Sequence, residues 1–310
     1  MMTLPSFTLV LTAAPGSGAV TEATVRAAED ALGGAKTDAR WLSPGDAWEA
    51  HVTVGEGGSA SSMREAAEQA IGAQPVDINV GPGGHKGRRK RLLCADMEST
   101  IIEQELIDEI AGLVGCQAEI SAITAAAMRG ELDFAASLMQ RVGLFAGLEA
   151  HRLEAVLADV TLMPGAEKLV TTMRANGAWT ALVSGGFTIF AERIAAQLGF
   201  HAVVANVLEI ENGHLTGRVR EPILGPQDKA DTLKRLAAEG GITLSDTLAV
   251  GDGANDVGML ATAGLGVAFR AKPILAAQAR ESDNGAVITH GDLTALLHLQ
   301  GYARDQFISA

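Results

Sequence analysis

Residues 92–100 read Leu-Leu-Cys-Ala-Asp-Met-Glu-Ser-Thr, so that four apolar residues run directly into a carboxylate. Further short apolar runs alternate with helix-like stretches, at 179–183, 202–205, 247–250, 265–269 and 286–288. Continuous apolar strands separated by helices are typical of a parallel sheet that helices cover on both faces. The sequence therefore predicts an α/β fold with a doubly wound parallel sheet in residues 92–310.

Three of the predicted strands end at a polar residue that a purely structural strand does not require. These residues are Asp96, Ser184 and Asp252. Ligands of open α/β sheets bind beyond the carboxyl ends of the strands, so we expect the three side chains to meet in one crevice. A single Asp after a strand is often only a helix N-cap, but the coincidence of all three favours a site. Two carboxylates with a hydroxyl indicate Mg²⁺ and phosphate chemistry.

The neighbours of these residues support that interpretation to different degrees. Gly185 and Gly186 leave the backbone after Ser184 unobstructed, so its N–H groups can bind an anion. Residues 251–256, Gly-Asp-Gly-Ala-Asn-Asp, are more specific, because two glycines bracket one acid and a second acid follows within a turn. Lys229, in a polar stretch at the start of a helix, would by itself be taken for a surface charge.

Two segments interrupt the alternation of strands and helices. Residues 103–159 have a helical pattern throughout and are too long for one crossover, so we expect a helical cap over the site. Asn212-Gly213 lies between the apolar runs 207–210 and 214–219 and predicts a tight β-hairpin.

The first 84 residues follow a different order of elements. Strand-like and helix-like periods alternate as β-α-β-β-α-β, at 7–12, 21–32, 38–42, 48–54, 62–71 and 76–80. That order is typical of an α+β ferredoxin-like domain. The apolar run 7–11 is short and lacks the charged flank of a signal peptide, which favours a first strand. We interpret the basic residues 85–91 as a solvated linker to a second domain at 92–310.

Composition excludes several classes of protein. With 24 basic against 37 acidic residues the formal charge is −13, and such a surface repels nucleic acid and anionic membranes. Cys94 and Cys116 are too few for a disulfide framework or a zinc site, which fits a reducing cytoplasm. No segment approaches the length that spans a bilayer. We therefore expect a cytoplasmic protein with no nucleic-acid or membrane partner.

The motifs resemble those of a known family. Residues 96–100, Asp-Met-Glu-Ser-Thr, resemble the first motif of the haloacid dehalogenase-like phosphatases, Asp-x-Asp-x-Thr. Ser184, Lys229 and residues 251–256 look like the second, third and fourth motifs, in the right order. One departure is that Glu98 stands where the family usually has Asp, which keeps a carboxylate but changes its reach.

The resemblance implies a role for each motif residue. Asp96 would be the nucleophile that forms an aspartyl phosphate, and Glu98 would be the general acid and base. Mg²⁺ would be held by Asp96, Asp252 and the backbone carbonyl of Glu98. The remaining implied residues would bind the phosphorylated substrate: Ser184, Gly185, Gly186, Lys229 and Asn255. Asp256 would support the metal and Lys229 without contacting the substrate.

Within the family, the cap segment resembles the phosphoserine phosphatases. Glu105, Met128, Phe134 and Arg141 match substrate-binding positions, which implies O-phospho-L-serine as the substrate and a role at the end of serine biosynthesis. An acid and a base suit the ammonium and carboxylate of that substrate.

Several alternatives stay open. The substrate could be phosphothreonine, phosphohomoserine or a second alcohol that accepts the phosphoryl group. The N-terminal part resembles an ACT-type domain, which implies either a sensor of small molecules or a homodimer contact. In the sensor hypothesis, the phosphatase part would serve only as a scaffold, but the presence of all the motif residues argues against it: Asp96, Ser184, Lys229 and Asp252.

Overall fold

The computed structural model describes residues 5–32, 35–55, 58–84 and 87–309, without the side chains of residues 35–37. Its strands are β1 (Ser6–Thr12), β2 (Ala35–Ser43), β3 (Ala47–Thr53), β4 (Asp77–Pro82), β5 (Leu92–Ala95), β6 (Trp179–Phe187), β7 (Ala202–Glu211), β8 (His214–Arg220), β9 (Thr247–Gly251), β10 (Leu265–Phe269) and β11 (Gly285–Ile288). Its helices are α1 (Glu22–Ala31), α2 (Ala60–Ile71), α3 (Leu106–Val114), α4 (Gln117–Met128), α5 (Phe134–Gly143), α6 (Leu153–Ala158), α7 (Ala166–Ala175), α8 (Thr188–Leu198), α9 (Pro226–Glu239), α10 (Val257–Thr262), α11 (Pro273–Glu281) and α12 (Ala295–Leu299). Within the described ranges, no helix is long and apolar enough to cross a bilayer.

The strands β1 to β4 form an antiparallel sheet, here called the N-terminal sheet. Its strand order is β2-β3-β1-β4, and α1 and α2 follow β1 and β3 in the chain. The predicted β-α-β-β-α-β order is therefore confirmed. Side chains that alternate along the strands, such as Leu9, Leu11 and Val52, pack with the apolar faces of the two helices.

The strands β5 to β11 form a second sheet, here called the main sheet, in the order β11-β10-β9-β5-β6-β7-β8. All recorded pairs in it are parallel except β7 with β8, so the predicted doubly wound parallel sheet is confirmed. Asn212 and Gly213 both have positive φ, 51° and 77°, as a tight hairpin turn with Asn-Gly requires. The runs predicted separately at 202–205 and 207–210 form one strand, because hydrogen bonds satisfy the intervening Asn206.

The helices α3 to α6 form the cap that the sequence predicts. Its two ends leave the main sheet side by side, where the Glu103 N–H donates to the Thr161 carbonyl at 3.0 Å. The hairpin β7–β8 supports the other side, because Leu215 exchanges backbone hydrogen bonds of 2.8 Å with Gly147 and Leu148. The cap is therefore fixed to the main sheet at two places.

Side chains of β4 join the two sheets. The Asn79 amide exchanges hydrogen bonds of 3.0 and 2.8 Å with the carbonyl and N–H of Val287 on β11. The carboxylate of Asp77 accepts hydrogen bonds from the N–H groups of residues 289–291 at 2.8 to 3.1 Å. Since β11 is an edge strand, these side chains satisfy backbone groups that would otherwise lack partners.

The basic segment after β4 is only partly described, since its residues 85 and 86 lie outside the described ranges. The expectation of a solvated run is wrong at Arg88, whose side chain is 9% exposed. Its guanidinium pairs with Glu49 of β3 and donates to the Leu299 carbonyl. The buried Glu49 carboxylate requires a counter-charge, and this explains why Arg88 folds inward. The division into domains at 1–84 and 92–310 stays a prediction.

Candidate active site

The three polar residues at strand ends lie together. The strands β9, β5 and β6 are neighbours in the main sheet. Asp96 and Asp252 directly follow β5 and β9, whereas Ser184, predicted to follow a strand, lies within β6 just after Val183, where the regular pairing with β7 is interrupted. All three are buried, with 4%, 0% and 7% of their surface exposed. The N–H of Asp96 donates to the Val250 carbonyl at 3.0 Å, which holds the start of this loop against β9.

Lys229 reaches this crevice from α9 and is not a surface charge. Its ammonium lies 2.8 Å from Asp96 Oδ1 and 2.7 Å from Asp256 Oδ1, and it is 1% exposed. Burial disfavours the ammonium, but the charges of the two carboxylates outweigh burial and raise the pKa of Lys229. A permanent cation therefore stands beside Asp96, where an anionic group could be bound.

The acidic residues outnumber this cation. Carboxylate oxygens of Asp96, Asp252 and Asp256 lie within 4.8 Å of one another. Burial raises the pKa of Asp96 and of Asp252, and the nearby charge of Asp256 raises both further. Three hard oxygen donors with excess negative charge match the ligands that Mg²⁺ takes in phosphate-binding sites. The residues present therefore fit a divalent cation.

Glu98 lies in the loop after β5 and points toward the second motif. Its Oε1 accepts a hydrogen bond of 3.0 Å from the Leu106 N–H, and its Oε2 lies 2.8 Å from where a Cβ on Gly186 would be. Burial raises the pKa of Glu98 to about 7, and the charge of Glu105 contributes to the rise. A carboxyl with such a pKa can both donate and accept a proton near neutral pH.

Glycines of the second and fourth motifs are required by close contacts. A Cβ on Gly186 would lie 2.8 Å from Glu98 Oε2 and 3.1 Å from Ser184 Oγ. A Cβ on Gly251 would lie 2.4 Å from the Asp256 carboxyl carbon. The same carboxylate accepts a hydrogen bond of 3.1 Å from the Gly253 N–H. The two glycines allow the functional side chains to approach the backbone.

The predicted substrate residues of the cap lie at different depths. Phe134, the first residue of α5, lies over the crevice, since its ring would be 3.3 Å from a Cβ on Gly185. Glu105 accepts a hydrogen bond of 2.9 Å from Ser99 Oγ. Burial lowers the pKa of the Arg141 guanidinium, and the negative charges of Glu98, Asp108 and Glu105 partly oppose that change. Met128, at the end of α4, is 76% exposed.

Two residues of the site escaped the sequence prediction. Asn206 of β7 donates to the Gly185 carbonyl at 2.9 Å and accepts from the Leu224 N–H at 2.7 Å, so it holds the loop after Ser184. No local signal marks an Asn within a strand for this role. Lys272 lies 3.5 Å from Asp252 Oδ2. It follows β10 closely, so the same rule about strand ends could have found it.

Comparisons of the sequence with known proteins agree with this geometry. Residues 93–261 match the model of the haloacid dehalogenase-like hydrolase family. A phosphoserine phosphatase of Streptomyces coelicolor is 45% identical over 248 residues, which cover 80% of this chain and 59% of that protein. One from Idiomarina loihiensis is 50% identical over 193 residues, which cover 62% of this chain and 88% of that protein. The chain thus spans about three fifths of the Streptomyces protein.

Solved structures are similar over different parts of the chain. A HAD family hydrolase from Salmonella enterica serovar Typhi is 30% identical, with a TM-score of 0.80 over 96% of this chain and 99% of that chain. A phosphoserine phosphatase solved as a phospho-aspartyl intermediate analogue is 39% identical, with a TM-score of 0.62 over 68% of this chain and 98% of that chain. The first similarity includes the N-terminal sheet, whereas the second covers about two thirds of the chain.

Proposed function

The chain belongs to the haloacid dehalogenase-like hydrolases, and we propose that it is a Mg²⁺-dependent phosphatase that converts O-phospho-L-serine to L-serine and phosphate. The observation that carries this proposal is the buried group of Asp96, Lys229 and Asp252 beneath a cap that carries Glu105 and Arg141. The names of the similar Streptomyces and Idiomarina proteins support the same substrate. The reaction would be the last step of serine biosynthesis.

Asp96 is the nucleophile in this proposal. Its carboxylate attacks phosphorus, the P–O bond to serine breaks, and an aspartyl phosphate forms on the side chain. The ammonium of Lys229, 2.8 Å from Asp96 Oδ1, favours the anionic form of the carboxylate against the effects of burial and of Asp256, and it attracts the phosphate oxygens. Asp256, 2.7 Å from the same ammonium, fixes its direction. The fixed ammonium supports the in-line approach of a phosphoryl group to Asp96.

Glu98 moves the proton. Its protonated form donates to the serine oxygen as that oxygen leaves, and the resulting carboxylate then accepts a proton from the water that attacks the aspartyl phosphate. The pKa of about 7, which follows mainly from burial, allows both forms near neutral pH. The methylene that Glu98 has beyond the usual Asp is accommodated because Gly186 has no side chain.

The acidic residues of the crevice would hold the metal. Asp96, Asp252 and the backbone carbonyl of Glu98 are the proposed ligands, and Asp256 supports them from behind. Bound there, Mg²⁺ would neutralise the charge of a phosphate that lies against Asp96. Ser184, Asn255 and the backbone N–H groups of Gly185 and Gly186 would bind the phosphate oxygens.

The cap supplies selectivity in this proposal. Arg141 binds the carboxylate of phosphoserine and Glu105 binds its ammonium, while Phe134 covers the pocket over Gly185. Met128, exposed at the end of α4, is the fourth proposed contact of the cap with the substrate.

The N-terminal sheet is the proposed site of contact between two copies of the chain. We propose a cytoplasmic protein that forms a homodimer through this part of the chain. Among the described residues, α1 and α2 cover one face of the sheet, and residues such as Val10 and Ala47 on the other side pack in the same core cluster as residues of the main sheet. A second copy would therefore bind along the helices or the edge strand β2.

The test is a panel of small phosphomonoesters with and without Mg²⁺. We expect phosphate release to require Mg²⁺, to be lost in Asp96→Asn, and to show the highest kcat/KM with phosphoserine. Phosphothreonine, phosphohomoserine and p-nitrophenyl phosphate complete the panel. A higher kcat/KM for another member, or release that continues in EDTA, contradicts the proposal.

A further inference from the structure

Lys272 is a cation at the mouth of the crevice that the proposed reaction does not use. It follows β10, and Arg270 before it has a positive φ of 44°. The Lys272 N–H donates to the Asp252 carbonyl at 2.8 Å, and its own carbonyl accepts from the Leu275 N–H at 3.0 Å as α11 begins. Because both backbone groups are bonded, the Cα of Lys272 is fixed beside Asp252.

The side chain of Lys272 is held much less firmly than its backbone. Its ammonium lies 3.5 Å from Asp252 Oδ2, beyond the usual length of a hydrogen bond, and the side chain is 52% exposed. Lys229 is the contrast, since it is 1% exposed and bonded to two carboxylates. A long, half-exposed side chain with one loose partner can leave that partner with little cost of desolvation.

The charges around Lys272 come from both sides of the crevice. Burial disfavours its ammonium, but Asp252, Glu105 and Asp256 together outweigh burial and raise its pKa. Asp252 and Asp256 belong to the main sheet, whereas Glu105 lies at the start of the cap. The ammonium is therefore subject to negative charge both from the proposed metal ligand and from the proposed binding residue for the substrate.

We infer that Lys272 is a positioning residue that competes with the divalent cation for Asp252 and, once displaced, attracts the anionic substrate to the mouth of the crevice. A monovalent and a divalent cation repel each other when they share one carboxylate, so binding of the metal would turn the flexible ammonium away from Asp252. The bonded backbone keeps the displaced ammonium near the entrance, where a phosphomonoester dianion must pass. The second half of this inference rests on the proposed function.

The first test is calorimetric titration of the metal-free protein with Mg²⁺ alone. Replacing Lys272 by Met keeps most of the length of the side chain and removes the competing charge, so Mg²⁺ should bind about three- to tenfold more tightly. Lys272→Arg should retain a dissociation constant close to that of the wild type. Lys234→Met is the matched control, since Lys234 is 49% exposed and pairs with Asp231 on the surface of α9.

The second test measures kcat and KM for phosphoserine at saturating Mg²⁺. In Lys272→Met we expect KM to rise about three- to tenfold while kcat stays within about twofold, and we expect the dependence of kcat/KM on ionic strength to weaken. Lys272→Arg should restore both. A change that only disturbs the fold would weaken Mg²⁺ binding and substrate binding together, whereas the inference requires them to change in opposite directions.

The outcomes separate the inference from the proposed function. Mg²⁺ binding that is unchanged or weaker in Lys272→Met overturns the competition for Asp252, whatever the substrate is. If Lys272→Met does not fold, as judged by circular dichroism, Lys272→Gln takes its place in the same titration. Tighter Mg²⁺ binding in a protein that does not hydrolyse phosphoserine would retain the competition and refute the proposed substrate. An unchanged KM would refute the attraction of substrate.

Discussion

Replacing Glu98 by Gln removes a proton donor from the crevice while keeping the shape of the side chain. The carboxylate Oε1 accepts a hydrogen bond of 3.0 Å from the Leu106 N–H, and the Gln carbonyl can accept the same bond. The proposed metal contact of this residue is its backbone carbonyl, which the substitution does not alter. The variant should therefore fold and bind Mg²⁺ like the wild type.

The expected loss of rate follows from the two roles of Glu98. General acid catalysis contributes about 10²- to 10⁴-fold, or about 3 to 5 kcal/mol of barrier, so the release of serine should slow by that factor. p-Nitrophenolate leaves without a proton, so formation of the aspartyl phosphate from p-nitrophenyl phosphate should be nearly unaffected. Its hydrolysis should still slow by about 10²-fold or more, because the base that activates water is also missing.

Stopped-flow absorbance with p-nitrophenyl phosphate separates these steps. In Glu98→Gln we expect a burst of about one p-nitrophenolate per active site, followed by slow turnover. Glu103→Gln, a substitution at an exposed position of the same loop region, should behave like the wild type. Loss of rate by the same factor with both substrates and without a burst would refute the acid and base roles. So would turnover of phosphoserine within about tenfold of the wild type.

Three further predictions concern other parts of the molecule. Arg141→Ala should raise KM for phosphoserine about 10- to 100-fold but leave KM for p-nitrophenyl phosphate nearly unchanged, since only phosphoserine carries a carboxylate. Equal effects on the two KM values in steady-state kinetics would exclude Arg141 from substrate recognition. The kcat/KM of the wild type for phosphoserine should fall as pH rises through about 7, because the reaction requires the proton of Glu98 and the pKa of Glu98 is raised to about 7. The kcat/KM for p-nitrophenyl phosphate should stay level, and parallel pH profiles for the two substrates would contradict this prediction. Asp77→Ala should lower the free energy of unfolding in urea by about 2 to 4 kcal/mol, because the N–H groups of residues 289–291 lose their acceptor. Asp30→Ala is the control, since Asp30 is exposed. Equal stability of the two variants would show that Asp77 does not join the sheets.

The sequence was sufficient to predict the main sheet and the position of its crevice. The apolar runs are continuous because the strands are buried on both faces, and the polar residues that end them therefore stand out. Asp96, Ser184 and Asp252 could be found for this reason. The hairpin was equally readable, since Asn212-Gly213 supplies two residues that tolerate positive φ.

Contacts between distant parts of the chain could not be predicted in this way. The hydrogen bonds of Asn79 to β11 and of Asp77 to the residues after β11 join positions more than 200 residues apart, and nothing in the local pattern of β4 marks them. The inward position of Arg88 is of the same kind, because its partner, Glu49, lies on β3 and the basic sequence around Arg88 gives no sign of that partner. The rule about strand ends places Lys272 near the crevice, but its contact with Asp252 depends on a left-handed turn at Arg270, and a non-glycine residue gives little sign of such a turn.

The central claim is that Asp96 carries the phosphoryl group during the reaction. The most direct measurement is to mix the protein with Mg²⁺ and phosphoserine labelled with ³²P, quench with acid within milliseconds, and map the labelled peptide by mass spectrometry. The account predicts label on the peptide at Asp96, absent in Asp96→Asn. Label on another residue, or rapid release of phosphate from Asp96→Asn, would contradict it.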